Sequence, residues 1–235
     1  MRISSQGTVI MIDDAVTPPT AAILSATHAK PCVITLAVAA TPPVVGTVIV
    51  PRNTGWLSIE GTPFKVKSVA AQAVTLEDSD SSREQNPINT TGTPPATLDM
   101  PTFIEMCRST FQANNPAGAT IDVTTLCDNA HRIVAGLPAI GTWTAAGFYD
   151  CKDTAIARAR DAYRSGDDVI IDVRLPDGCG LTFAAIVNTF DVTLGINAAV
   201  ANTLGGQIDG QVHFYETPAP GFVPSAAPPQ QQVAA

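Results

Sequence analysis

The order of apolar and polar positions divides the chain into short strand-like runs and one helix-like run. Thr8 to Ile12 reads as an opening strand that ends at Asp13-Asp14, and Pro18-Pro19 then breaks the chain. Runs rich in β-branched residues follow at Ala22 to Ser25, Cys32 to Val38, Gly46 to Val50, Trp56 to Ile59, Phe64 to Val69 and Ala73 to Leu76. Pro, Gly and Asn separate them, as expected of strands in a meander with Phe64, Val66, Val74 and Leu76 on its core face. These runs predict a small β module ending near Asp80, with Ser81 to Pro95, rich in Ser, Asn, Thr and Pro, as a linker or long loop.

Beyond Pro101 the pattern changes. Thr102 to Ser109 fits a strand or a short helix, residues 114–118 a turn, and Ile121 to Val123 a strand leading into a Gly- and Pro-interrupted stretch, Thr124 to Phe148. The spacing then predicts a helix over about 150–165. Ala155, Ile156, Ala159, Ala162 and Tyr163 share one face, Asp150 or Asp153 stands where a cap belongs, and Gly166 follows the end. Val169 to Leu175 alternates, Pro176-Asp177-Gly178 is a turn, and Leu181 to Phe190 and Gln207 to Tyr215 complete the strands. Residues 218–235, a Pro/Ala/Gln-rich arm, show no periodicity.

Composition sharpens this reading. Of 235 residues, 45% are hydrophobic and only 14% charged, so much of the surface is expected to be covered by copies of the same chain. The net charge of -8 disfavours a protein that grips phosphates, which needs clustered Lys and Arg. The acidity is unevenly placed: residues 98–235 carry fourteen acids and seven bases, against seven and six before them. No run approaches the ~18 apolar residues of a membrane span, so neither a membrane partner nor export is expected. Five cysteines without a CxxC pair argue against a disulfide framework or a zinc ribbon and suggest buried thiols.

Candidate chemistry is sparse. Cys127, Asp128 and His131 lie close enough in sequence to suggest a thiol with its base, or metal ligands. A surface histidine beside Arg132 and a buried thiol account for them better, since no oxyanion donor or further ligand stands near. Asp13-Asp14 and Asp78 with Asp80 do not follow a calcium-loop pattern. Trp56 and Trp143 suit a core or an interface, Arg158 and Arg164 a solvated face or an ion pair across subunits. Catalytic, cofactor and metal residues are therefore assigned as none, and the chain is read as a non-enzyme.

The series from Ile121 to Tyr215 resembles the tail tube, or major tail, proteins of long-tailed bacteriophages. The likeness rests on Ile121 to Ala130 as a strand entering a long loop, Ala135-Gly136-Leu137-Pro138-Ala139-Ile140-Gly141 as a Gly-Leu-x-x-x-Gly turn, the helix ending Tyr163-Arg164-Ser165-Gly166, and then the strand, turn and strand from Val169 to Phe190. The opening strand suits the family's first. The resemblance implies a mostly β fold, a β-sandwich or half-barrel with one flanking helix, formed by residues 1–17 and 96–217. The block 18–95 departs from the family pattern as an inserted or appended β module, which either decorates the tube or builds it.

The resemblance further implies subunits that close into rings, six to a ring, and stack into a hollow tube through which DNA passes. The implied setting is the virion tail, made in the host cytoplasm and flexible rather than contractile. The implied partners are copies of the chain and other tail proteins such as the terminator, tape measure and baseplate. On that reading Thr124, Leu126, Asp128, His131, Gly136, Leu137 and Gly141 belong to a loop between rings or subunits. Ile156, Ala159 and Tyr163 hold helix to sheet, and Asp172, Asp177 and Asp191 are candidate acids of the lumen. The rival reading is a receptor- or glycan-binding module of a tail fibre or baseplate.

Overall fold

The computed structural model describes residues 8–14, 16–114, 120–122, 133–135, 140–195 and 199–218. The chain is mostly β with one helix and builds two separate cores. The first strand, β1 (Val9–Asp13), enters a sheet, and the chain then leaves to build a closed barrel from β2 (Thr20–Ala26), β3 (Val33–Leu36), β4 (Val48–Arg52), β5 (Phe64–Ala70), β6 (Ala73–Leu76) and β7 (Thr97–Asp99). The barrel order β2-β3-β6-β5-β4-β7 makes β7 the closing stave, pairing with both β2 and β4. Residues 81–95 are therefore internal to the barrel unit. Ile88 and Ala96 are buried in its core, and Trp56 Nε1 donates to the Asn86 carbonyl at 2.8 Å.

One expected strand is a turn instead. Ile59 N and Glu60 N both donate to the Trp56 carbonyl, at 3.2 and 2.9 Å, while the Glu60 carboxylate accepts from Asn53 N and Thr54 N at 2.8 and 2.6 Å. These local bonds satisfy the backbone without a ladder and seat Trp56 and Ile59 as plugs in the barrel.

The chain returns through β8 (Phe103–Glu105), β9 (Thr110–Asn114), a short pair of β10 (Thr120–Asp122) with β11 (Ile133–Ala135), and β12 (Thr142–Phe148). Helix α1 (Thr154–Ser165), β13 (Asp168–Arg174), β14 (Gly180–Thr193) and β15 (Ala201–Tyr215) follow, giving a seven-stranded sheet of order β8-β1-β13-β14-β15-β12-β9. β12 lies inside the Gly- and Pro-interrupted stretch from Thr124 to Phe148. Its alternation, Trp143 and Ala145 inward against Thr142 and Thr144 outward, is that of a half-buried strand.

Helix α1 begins where Asp153 Oδ1 accepts from Ala155 N and Ile156 N, and ends at Gly166, whose φ of 75° puts it in the left-handed region. Ala155, Ile156, Ala159 and Ala162 are buried on the sheet. The small side chains of Ala155, Ala159 and Ala162 let the helix sit close to Ile10, Ile12, Val169 and Ile171. Tyr163, expected among the packing residues, is 47% exposed. It lies on the flank of this narrow alanine face, with its ring 6.3 Å from Phe190 at the sheet margin.

Candidate assembly surfaces and the barrel–sheet junction

The two faces of the sheet follow from strand register. On one face, rows such as Ala113–Trp143–Gly206–Val187 and Phe111–Ala145–Leu204–Phe190 fill the core. Gly206 is required there, because a Cβ would lie 1.8 Å from the Ile186 carbonyl oxygen and 2.9 Å from Trp143 Nε1. The opposite rows are Asn114–Thr142–Gln207–Ile186, Gln112–Thr144–Gly205–Thr189 and Thr110–Ala146–Thr203–Asp191. Most of these side chains are exposed, and they are hydroxyls, amides and small groups.

The charges on the β14 and β15 rows of this face are acids, as is Asp168 of β13, whereas Arg174 of β13 and Arg52 of the barrel stand at its β13 side. Asp191 ends one row, Asp209 sits opposite Ala184, and Asp168 extends the Ile186 row on β13. Burial first, and then repulsion from Asp209, pushes Asp168 above the ordinary carboxylate range, with Arg52 at the barrel rim pulling the other way. None of the paired rows of β9, β12, β14 and β15 on this face contains Lys or Arg.

The same face of the sheet, at its β13 side, carries the barrel. Lys65 of β5 and Asp172 of β13 are both 0% exposed and pair at 3.0 Å. Tyr215 donates its hydroxyl to Asp172 Oδ1 at 2.8 Å, Arg174 Nε donates to Oδ2 at 2.7 Å, and the Lys65 ammonium stands 4.2 Å from the centre of the Tyr215 ring. The carboxylate therefore meets an ammonium, a guanidinium and a phenol, which is what a buried charge requires. Burial holds Lys65 below its ordinary value despite Asp172, and burial beside that carboxylate drives the Tyr215 phenol far up. Gly180 leaves room for the arrangement, since a Cβ would come within 2.3 Å of the Tyr215 oxygen.

Next to this cluster His213 is buried, its ring 4.4 Å from that of Phe64 and its Nδ1 3.5 Å from Asp78 Oδ2. Burial lowers its pKa, and Asp78 raises it by less. The Nδ1–Asp78 distance lies at the limit of a hydrogen bond and the geometry does not meet one, so the ring is best described as buried and unsatisfied. At the far side of the sheet, Arg158 of α1 donates to Asp13 Oδ2 at 2.8 Å, an ion pair within the chain rather than between subunits.

The expected site residues fare differently. Asp172 was expected to line a lumen and does not: it is wholly inside the barrel–sheet junction, where Lys65 of the barrel covers it. Asp177 is exposed in the β13–β14 turn, where its Oδ1 accepts from Cys179 N at 3.1 Å, with Pro176 beside it and Gly178 at φ 92°. Asp191 is on the bare face. Gly141 is buried at the start of β12, where a Cβ would meet Ile208 at 2.9 Å, and its carbonyl accepts from Ile208 N. Thr124, Leu126, Asp128, His131, Gly136 and Leu137 lie outside the described residues, as do Cys127 and the arm from 219 onward. Of the thiols expected to be buried, Cys32 is, whereas Cys107 and Cys151 are exposed on loops flanking the sheet.

Sequence reasoning missed Lys65, Tyr215 and His213. The available signal was Lys65 itself, a charge set between Phe64 and Val66, both of which face the barrel core.

No family model and no curated protein matches the chain. Among solved structures, it is similar to a chain in the tail of an empty gene transfer agent particle, refined helically with C6 symmetry. The identity is 20% and the TM-score 0.42, over 48% of this chain and 87% of that one. A chain in the virion of the native gene transfer agent particle matches with the same identity, TM-score and share of this chain, covering 89% of its own length.

Proposed function

We propose that this chain is a structural subunit of a phage-type tail, which closes with its copies into rings and stacks into a hollow tube that passes DNA. The observation that carries the reading is the bare sheet face. It is a broad, regular surface of Thr, Gln and Asn whose charges are Asp168, Asp191 and Asp209. The rows of β9, β12, β14 and β15 offer phosphates no cation to hold and their acids repel them, so a duplex slides past them. The likeness of the series Ile121 to Tyr215 to tail tube proteins supports the same conclusion. On this reading the barrel, fixed on the β13 side of that face, stands beside the lumen wall and is carried by every subunit.

The test is assembly. Negative-stain electron microscopy and light scattering of the purified protein at rising concentration are expected to give rings or tubes of uniform width. A monomer that persists at high concentration refutes the proposal. The lumen assignment is tested separately with Asp191→Lys/Asp209→Lys. Its assemblies are expected to retain duplex DNA at low salt and release it as salt rises, while wild-type assemblies retain none.

A further inference from the structure

Barrel and sheet meet beside the end of β15 through contacts of two kinds. Some are charged: Lys65 pairs with Asp172, and the Glu77 carboxylate of the barrel accepts from Glu216 N at 2.9 Å and Thr217 N at 3.3 Å. The other is His213, whose ring lies tilted against that of Phe64 and is buried, with neither nitrogen hydrogen-bonded among the described residues. A neutral imidazole there is an aromatic spacer that forgoes its hydrogen bonds.

An imidazolium carries a charge and two N–H donors, and the closed junction has no good place for them. Phe64 covers one side of the ring. Thr182, opposite His213 on β14, gives its hydroxyl to the Ile171 carbonyl at 3.2 Å. Lys65, next to Phe64 in β5, is itself a cation, and its partner Asp172 is already engaged by Arg174 and Tyr215. Asp78 is the carboxylate within reach, with Oδ2 3.5 Å from Nδ1, and it stands half exposed on the rim of the junction. That rim borders a depression of about 470 Å³, which Lys30, Asp80, Arg83 and Gln211 also line.

We propose that His213 is an acid-sensitive latch between barrel and sheet, closed while the ring is neutral and released as the ring takes up a proton and turns out into the depression. The closed ring binds a proton more weakly than a free imidazole, because burial outweighs the pull of Asp78. Once open, it returns to the ordinary value of about 6.5. Opening is therefore unaffected well above about pH 6.5, becomes more favourable as pH falls through it, and levels off below the closed-state value. At pH 5.5 the gain is at most about tenfold, and smaller the higher the closed-state value lies. The latch acts within a single subunit and stands whether or not the chain forms a tube.

The experiment uses the unassembled full chain at low concentration. The His213 imidazole is titrated by NMR, its signals identified by elimination with His28→Gln and His131→Gln, and its midpoint is expected below about 6.5. Amide exchange, corrected for its intrinsic pH dependence, is then compared at pH 7.5 and 5.5. The reporters are Glu216 and Thr217, whose N–H groups cross to Glu77, and the control is Thr144 and Ala145 in β12. Exchange at the reporters is expected to rise at pH 5.5 by the factor that the measured midpoint sets, to stay flat in His213→Phe, and to leave the control unchanged. A midpoint at or above about 6.5 overturns the latch. So does reporter exchange that is unchanged, that rises equally in His213→Phe, or that rises together with β12, which is unfolding of the whole chain. Where His213→Phe does not fold, the match between midpoint and exchange in the wild-type chain decides.

Discussion

Replacing Lys65 by Met removes the ammonium from the barrel–sheet junction while keeping most of the side-chain volume. Asp172 remains 0% exposed, now held by Arg174 at 2.7 Å and by the Tyr215 hydroxyl at 2.8 Å. Breaking a buried pair at one end costs about 3–5 kcal/mol, and the two surviving partners place this case at about 3 kcal/mol. For a chain of this size that is a fall of about 6–12 °C in melting temperature. Because the pair ties two separate cores together, the variant's urea transition is also expected to be broader than that of wild type or split, with the barrel released first. Lys65→Met/Asp172→Asn removes the stranded charge and leaves Tyr215 a carbonyl to donate to, so it recovers to within about 1 kcal/mol of wild type. Urea denaturation followed by tryptophan fluorescence reports on both cores, since Trp56 lies in the barrel and Trp143 in the sheet. A single variant within about 0.5 kcal/mol of wild type, or a double variant no better than the single, refutes the burial of this pair.

Two further substitutions probe the junction and the sheet. The folded-state pKa of His213 is lowered, so below about pH 6.5 the unfolded chain takes up a proton that the folded chain resists, and stability falls with pH there until the folded form also protonates. His213→Leu keeps the contact with Phe64 and is expected to lose less stability than wild type between pH 7.5 and 5.5 in paired urea titrations; an unchanged difference would exclude His213 as the source. Gly206→Ala drives a methyl into the Ile186 carbonyl oxygen, and its melting curve is expected to show a loss of more than about 3 kcal/mol or no folded protein at all.

Much of the fold is legible in the periodicities because each element buries one face. The helix between Asp153 and Gly166 has both caps and an alanine stripe written in sequence, Val169 to Leu175 alternates, and turn residues bound the strands that follow. The errors arise where local bonding or a distant partner decides. Trp56 to Ile59 has strand composition, yet Glu60 folds it into a turn. Strand β7 carries a three-residue signal that becomes a stave only because β2 and β4 stand on either side of it. The candidate site was less legible. Asp172 alternates as a surface acid should, and only Lys65, 107 positions away, shows that it is inside. The bare face is spread over four strands that no short motif joins, two of which, β9 and β12, were not anticipated.

The barrel leaves the sheet and returns to it at one spot. Asp14 N donates to the Thr102 carbonyl at 3.1 Å, the Thr102 hydroxyl bonds the Asp14 carboxylate, and the barrel's own first and last strands pair, Thr20 opposite Asp99. A domain hung from two adjacent crossings is topologically a passenger: exchanging it alters no strand order in the sheet, and the entropy of closing the loop changes slowly with inserted length. Residues 14–102 are thus a natural graft point, where another domain with neighbouring termini can ride on the same sheet. The condition for a successful exchange is chemical: the new cargo must either supply a cation to Asp172 or come with that acid replaced.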